Sequence, residues 1–136
     1  MIRSTLPTKA RLRYFYEFSA VFNKGKTLSK GDFFVVNELV RNDLSIKGGE
    51  SWPRLGLIIA KRYAKKSVTR NALKRVIRES FRIQRNIMPK NDYVVRLYKK
   101  ILPQSLKLLR RTVRLEIDFH FQQAISSNEN NSSIYN

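Results

Sequence analysis

The chain has no cysteine, which removes disulfides and thiolate metal sites and is compatible with a reducing compartment. It has a single histidine, His120, so a two-histidine acid–base scheme is impossible, and that residue is read as packing or surface. Acid is scarce, ten Asp and Glu against 28 Lys and Arg. Those ten (Glu17, Asp32, Glu38, Asp43, Glu50, Glu79, Asp92, Glu116, Asp118, Glu129) form no paired motif. Two-metal hydrolysis needs several carboxylates converging on ions about 4 Å apart. Glu116 and Asp118 stand two apart, which puts them on different faces of a helix. Only five glycines occur, and Gly48-Gly49 lacks the Gly-x-x-x-x-Gly-Lys pattern of a phosphate loop. No apolar run approaches the roughly 20 residues that span a bilayer. Arg11 and Arg13 break up the early apolar residues, so no secretory signal is expected. These absences argue against an autonomous enzyme and against a membrane-spanning protein.

What is present is positive charge. The net charge is +18 and the pI about 10.8. Self-repulsion of that size opposes compaction and calls for a polyanion, with nucleic acid first and an anionic membrane surface second. Hydrophobic residues make up 42% of the 136, enough for one core and one domain.

The pattern predicts an irregular lead-in to Lys9, then a helix over residues 10–24, with Leu12, Phe15, Phe18, Val21 and Phe22 at helical spacing and Gly25 as its stop. Strands are expected at 26–30, 33–40 and 55–60, the last two paired as a long-looped hairpin across a polar connection at 41–53. A helix follows over about 68–87, then a strand at 93–98. After Pro103 comes a last helix whose Leu106, Leu109, Val113, Ile117 and Phe121 share a face. The expected fold is α+β, a single small α-β-β-β-α-β-α sandwich over residues 1–125 with helices against one face of the sheet. Residues 126–136 read as a disordered polar tail.

Between Lys61 and Arg85 ten cations face one acid, Glu79. Leu73, Val76, Ile77, Ser80, Phe81, Ile83, Gln84, Ile87 and Met88 form the buried stripe of the helix, while Lys74, Arg78, Arg82 and Arg85 line another face, with Lys66, Arg70 and Arg75 nearby. A one-sided ladder on a packed helix suits polyphosphate.

Three segments carry a resemblance. They are Pro-Arg-Leu-Gly-Leu-Ile-Ile-Ala-Lys-Arg (53–62), Arg70-Asn71-x-x-Lys74-Arg75-x-x-Arg78-Glu79-x-Phe81-Arg82, and Asp92-Tyr93-Val94-Val95. With Arg11-Leu12-x₅-Phe18-x₂-Val21-Phe22-x₂-Gly25 they cover about residues 10–98, in an order that resembles the protein subunit of bacterial ribonuclease P. Ala72 replaces an arginine usual in that family, and Ala64 a common glycine. The resemblance implies a ribosomal-protein-like fold with a left-handed β-α-β crossover. It further implies a cytoplasmic protein that binds a catalytic RNA and the 5′ leader of precursor tRNA, with no membrane or DNA partner. Magnesium would serve the RNA's chemistry, and no cofactor is expected on the protein itself.

By that resemblance Arg70, Lys74, Arg75, Arg78 and Arg82 contact the RNA backbone, where arginine offers bidentate bonds to phosphate. The alternative is a solvated face with Arg75 and Arg82 paired to Glu79. Asn71 either bonds RNA or caps the helix start. Phe18, Phe22, Phe33 and Val36 line the leader groove, where bases stack on aromatic faces without regard to sequence. At their spacing one of Phe18 and Phe22 is core. Lys61, Arg62, Lys65 and Lys66 form a flexible basic loop that touches RNA or is simply solvated. Trp52 reads as a packing cap. A ribosomal-type or chaperone RNA-binding module, and a membrane-surface binder, stand as the other readings.

Overall fold

A computed structural model describes residues 6–41 and 52–134, with backbone alone from 128 onward. Most of the connection expected at 41–53 lies outside the described residues. After a 3-10 turn at Thr8–Ala10 come α1 (Phe15–Lys24), β1 (Lys26–Lys30), β2 (Phe34–Leu39), β3 (Arg54–Ile58), α2 (Ser67–Gln84), β4 (Asp92–Leu97) and α3 (Leu106–Ile134). The α+β order read from the sequence is present.

The four strands run β1-β2-β4-β3 across the sheet. β1 and β2 form an antiparallel hairpin, β2 is antiparallel to β4, and β3 is parallel to β4. The expected β2–β3 hairpin is therefore corrected, because β4 lies between those two strands. Sequence neighbours usually pair, but β3 is followed by a helix long enough for a crossover, the connection a parallel pair requires. β4 takes the middle because both its faces are apolar, with Tyr93, Val94 and Val95 all fully buried.

Helices cover both faces, not one. On the first, Leu73, Val76, Ile77 and Phe81 of α2 and Leu109, Val113, Ile117 and Phe121 of α3 pack on Phe34, Val36, Leu55, Tyr93, Val95 and Leu97. On the second, Phe18 and Val21 of α1 meet Val94, Leu39 and Ile58, joined by Leu12. Alternation along a strand accounts for this division, since Val94 points opposite to Tyr93 and Val95.

α3 is fastened by polar residues on two sides. The fully buried His120 bonds Ser29 Oγ at 2.7 Å through Nδ1 and Glu116 at 2.8 Å through Nε2. Glu116 also accepts the backbone N–H groups of Phe33 and Phe34, so this pair clamps the β1–β2 turn. Toward α2, Asp118 accepts from the Ser80 hydroxyl, and within α3 it accepts from Arg114 one turn earlier. The two acids thus point to different neighbours, as their spacing predicts. Helical backbone continues to Ile134, through most of the segment expected as a disordered tail.

α1 is pinned at its start by an ion network. Glu17 Oε1 accepts the N–H groups of Arg13 and Tyr14, and Oε2 meets Arg54 at 2.7 Å. Arg54 in turn makes two 2.8 Å bonds to Asp92. Burial, the largest single influence, pushes the Glu17 carboxyl up, but the two N–H bonds and Arg54 together hold it below its ordinary value of 4.5. A depressed carboxylate stabilises the fold above the unfolded value and loses that contribution as pH falls through the folded one. Glu17→Gln is expected to be less stable than the parent at neutral pH, with the gap closing well below pH 4.5. Urea midpoints at the two pH values check this.

Candidate nucleic-acid interface

α2 opens at Ser67 with Lys66 as its cap residue, and no side chain caps it. Asn71 lies one turn inside and is exposed, so the capping alternative for it is removed. The inward stripe is as expected except for Ile83 and Ile87, which are exposed.

The cations stand on the opposite flank, about 6 Å apart at each i,i+4 step. Arg70 is already engaged, donating from Nη1 to the carbonyls of Ala64 (3.0 Å) and Lys65 (2.8 Å). Lys74 and Arg78 are half-buried and Arg75 is exposed. Among the described residues none of these three is ion-paired, so the pairing of Arg75 with Glu79 is not present. Arg82 is half-buried at the next turn. Burial first, and then the like charge of Arg11, push the Arg78 guanidinium down. Arg11 comes from the segment before α1, which runs beside β3 through a bridge to Leu55, and its Nε is buried without a hydrogen-bond partner. Among the described residues neither Arg11 nor Arg78 has an ion-pair partner, a lack that a phosphate oxygen would relieve.

The loop before α2 is tied by hydrogen bonds at several points. Tyr63 and Ala64 donate to the Ala60 carbonyl, Ile101 donates to Tyr63, and Arg70 grips it from the helix. Ala64 is buried, so the side chain at that position has room. Lys61, Arg62, Lys65 and Lys66 remain exposed around it, Arg62 lying 4.8 Å over the Tyr63 ring. Trp52 packs on the main core and donates to the Lys9 carbonyl at 2.7 Å, the capping role expected of it.

The expected groove residues separate. Phe18 is half-buried in the second core, and Phe22 is 40% exposed at the other end of the same stripe. Of that pair Phe18 is the core member. Phe33 is half-buried against the main core beside the β1–β2 turn. Val36 is 0% exposed and faces α2 and α3, so it is withdrawn as a groove residue. The α1 side of β2 belongs to Val35 and Asn37, one residue out of step with the expectation. Across the register Val35 meets Arg96, and Asn37 meets Val94. Asn37 and Arg96 are half-buried, and Asn37 Oδ1 lacks a partner.

Phe18 can lie on the sheet only because residue 56 is glycine. A Cβ there would stand 2.5 Å from the Phe18 ring and 3.0 Å from Leu12. Gly56→Ala is expected to lift α1 and cost about 1–3 kcal/mol, readable as a lower thermal midpoint with far-UV circular dichroism little changed.

The sequence reading gives no site role to Arg11, Arg96, Asn37 or Phe15. The available signal was the parity of β2 for Asn37, and for Phe15 the run Tyr14-Phe15-Tyr16, too many rings for one buried side.

Four of the described carboxylates are committed. Glu17 and Asp92 serve Arg54, Glu116 serves His120 and two N–H groups, and Asp118 serves Ser80 and Arg114. Among the described residues no group of three or more acidic or histidine side chains is placed to hold a metal. The geometry offers a rigid cationic flank and an aromatic helix over a sheet, which can bind and orient RNA.

The family model described as Ribonuclease P matches residues 6–130. The Ribonuclease P protein component of Bordetella parapertussis is 49% identical over 121 residues, covering 89% of this chain and 96% of the relative. That of Bordetella avium is 46% identical over 118 residues, covering 87% and 93%. Among solved structures, the RNase P protein of Thermotoga maritima superposes with a TM-score of 0.56 at 29% identity, covering 79% of this chain and 94% of that one. The RNase P protein of Staphylococcus aureus, at 20% identity, shares the fold with a TM-score of 0.63 over 88% and 94%.

Proposed function

The chain belongs to the ribonuclease P protein family, and from that premise we propose that it binds the catalytic RNA of the holoenzyme and the 5′ leader of precursor tRNA, promoting removal of the leader. The observation that carries this reading is the cationic flank of α2, where Lys74, Arg75 and Arg78 stand without an ion pair among the described residues. Lys74, Arg75, Arg78 and Arg82 take phosphates of the catalytic RNA, joined by Arg11, and Asn71 lies on the same exposed side. Arg70 acts mainly by fixing the loop that presents Lys61, Arg62, Lys65 and Lys66. Phe22 on α1, with Asn37 and Arg96 on the sheet, lines the leader groove, and Phe18 packs as the core member that holds α1 beside it.

In this reading bond cleavage belongs to the RNA, and the magnesium it needs is held there. The commitment of Glu17, Asp92, Glu116 and Asp118 to arginine, histidine, serine and backbone groups supports that division. The setting is cytoplasmic; no helix among the described residues is long and apolar enough to cross a membrane.

Substrate discrimination tests the proposal. The RNA–protein complex should bind precursor tRNA more tightly than mature tRNA, while the RNA alone or the protein alone should discriminate much less. Equal affinity for both in the complex would favour a ribosomal-type or chaperone RNA-binding module. A chain ending at Ser126 is expected to retain full stimulation of leader removal, since the buried α3 residues Phe121, Ala124 and Ile125 all precede the cut. Loss of stimulation would contradict that.

A further inference from the structure

Tyr14, Phe15 and Tyr16 stand in a row at the first turn of α1, exposed by 54%, 87% and 69%. The fold makes little use of them: α1 meets the sheet through Phe18 and Val21. Helical spacing places Phe15 on the same side as Phe18 and Phe22, extending that stripe past Phe18 toward the N-terminus. Tyr14 and Tyr16 stack beside it, with ring centroids 5.6 Å apart and planes 5° from parallel.

Positive charge flanks these rings along the chain. Arg13, next to Tyr14, is exposed and Arg11 is half-buried, while Lys9 lies over the Trp52 ring. Glu17, in the first turn of α1, is taken up by Arg54 and by the N–H groups of Arg13 and Tyr14, and Asp92 is taken up by the same Arg54. Because the Glu17 carboxylate occupies amides at the start of α1, a ligand must be recognised through ring faces and side-chain cations. Unpaired bases stack on such rings while cations take the intervening phosphates; a duplex keeps its base faces hidden.

We propose that Tyr14, Phe15 and Tyr16, with Arg13, form a stacking site for single-stranded RNA that continues the Phe18–Phe22 stripe beyond the groove. The inference rests on the reading of α1 as a strand-binding helix. The occupant is an unpaired RNA segment, favoured over an anionic lipid surface because the stacked, cation-flanked site matches bases alternating with phosphates.

The test uses the full chain and its Phe15→Ala/Tyr16→Ala variant, with a short labelled oligouridylate and an RNA duplex of equal phosphate number. The variant should keep its thermal midpoint and its duplex affinity, yet bind the single strand about fivefold or more weakly. Unchanged single-strand affinity, or equal losses on both probes, would overturn the proposal. So would binding to phosphatidylglycerol-containing vesicles that the variant loses while its RNA affinity stays. As a second measurement, a Phe15→Trp chain should show emission quenched by the oligouridylate beyond any change at Trp52, and emission indifferent to saturating RNA would contradict the site. Neither readout needs the catalytic RNA or cleavage. A chain that fails to stimulate leader removal but shows the selective single-strand loss would keep this site while losing the proposed function.

Discussion

Changing Lys74, Arg75 and Arg78 together to alanine is expected to weaken binding to the catalytic RNA by about a hundredfold or more. The salt dependence should flatten at the same time. Each phosphate contact contributes roughly 0.7 to 0.9 to the slope of log K against log salt, so three lost contacts remove about two to three units. The fold should survive, because the stripe that holds α2 in place (Leu73, Val76, Ile77 and Phe81) is untouched. Relief of the repulsion between Arg11 and Arg78 can even raise stability slightly. Titrations over a range of salt concentrations give both quantities. If these cations served only solubility, affinity and slope would both stay near the parent values.

Arg54→Met is expected to damage the fold by about 3 kcal/mol. Arg54 is the hub between α1 and the sheet, with a bidentate grip on Asp92 and a 2.7 Å contact to Glu17. Asp92 is 4% exposed at its side chain, so losing that partner leaves a carboxylate poorly solvated. Arg41, 3.2 Å from Asp92, offsets only part of the loss. Against the 5–15 kcal/mol of a typical domain this is a large share. Urea unfolding reads it directly, and adding Asp92→Asn should recover part of it, since the two residues act as one unit. A change under about 0.5 kcal/mol would show that the network is solvated rather than structural.

Much of this was legible in the chain, and the failures have physical reasons. α2 could be read because its apolar residues recur every three or four positions and its cations fall between them. β4 could be read as a strand, but its central place depends on both faces being covered, and only the packing of α1 reveals the second cover. Val36 was misplaced by one residue: a β-strand reverses its side chains at each step, so Val35 and Asn37 face α1 while Val36 enters the main core. Arg70 and Arg78 look alike on the helix, yet one is spent on loop carbonyls and the other is held near Arg11. Nothing local in the sequence distinguishes them, because both partners arrive through the tertiary fold.

The central claim is that this protein acts on leader removal through a partner RNA. The most direct measurement is the rate of that cleavage on a precursor tRNA at low millimolar magnesium, using a bacterial ribonuclease P RNA with and without the chain. Strong stimulation by the parent, absent in the Lys74, Arg75 and Arg78 triple variant, is the predicted result. Tight RNA binding with no stimulation by the parent would contradict it.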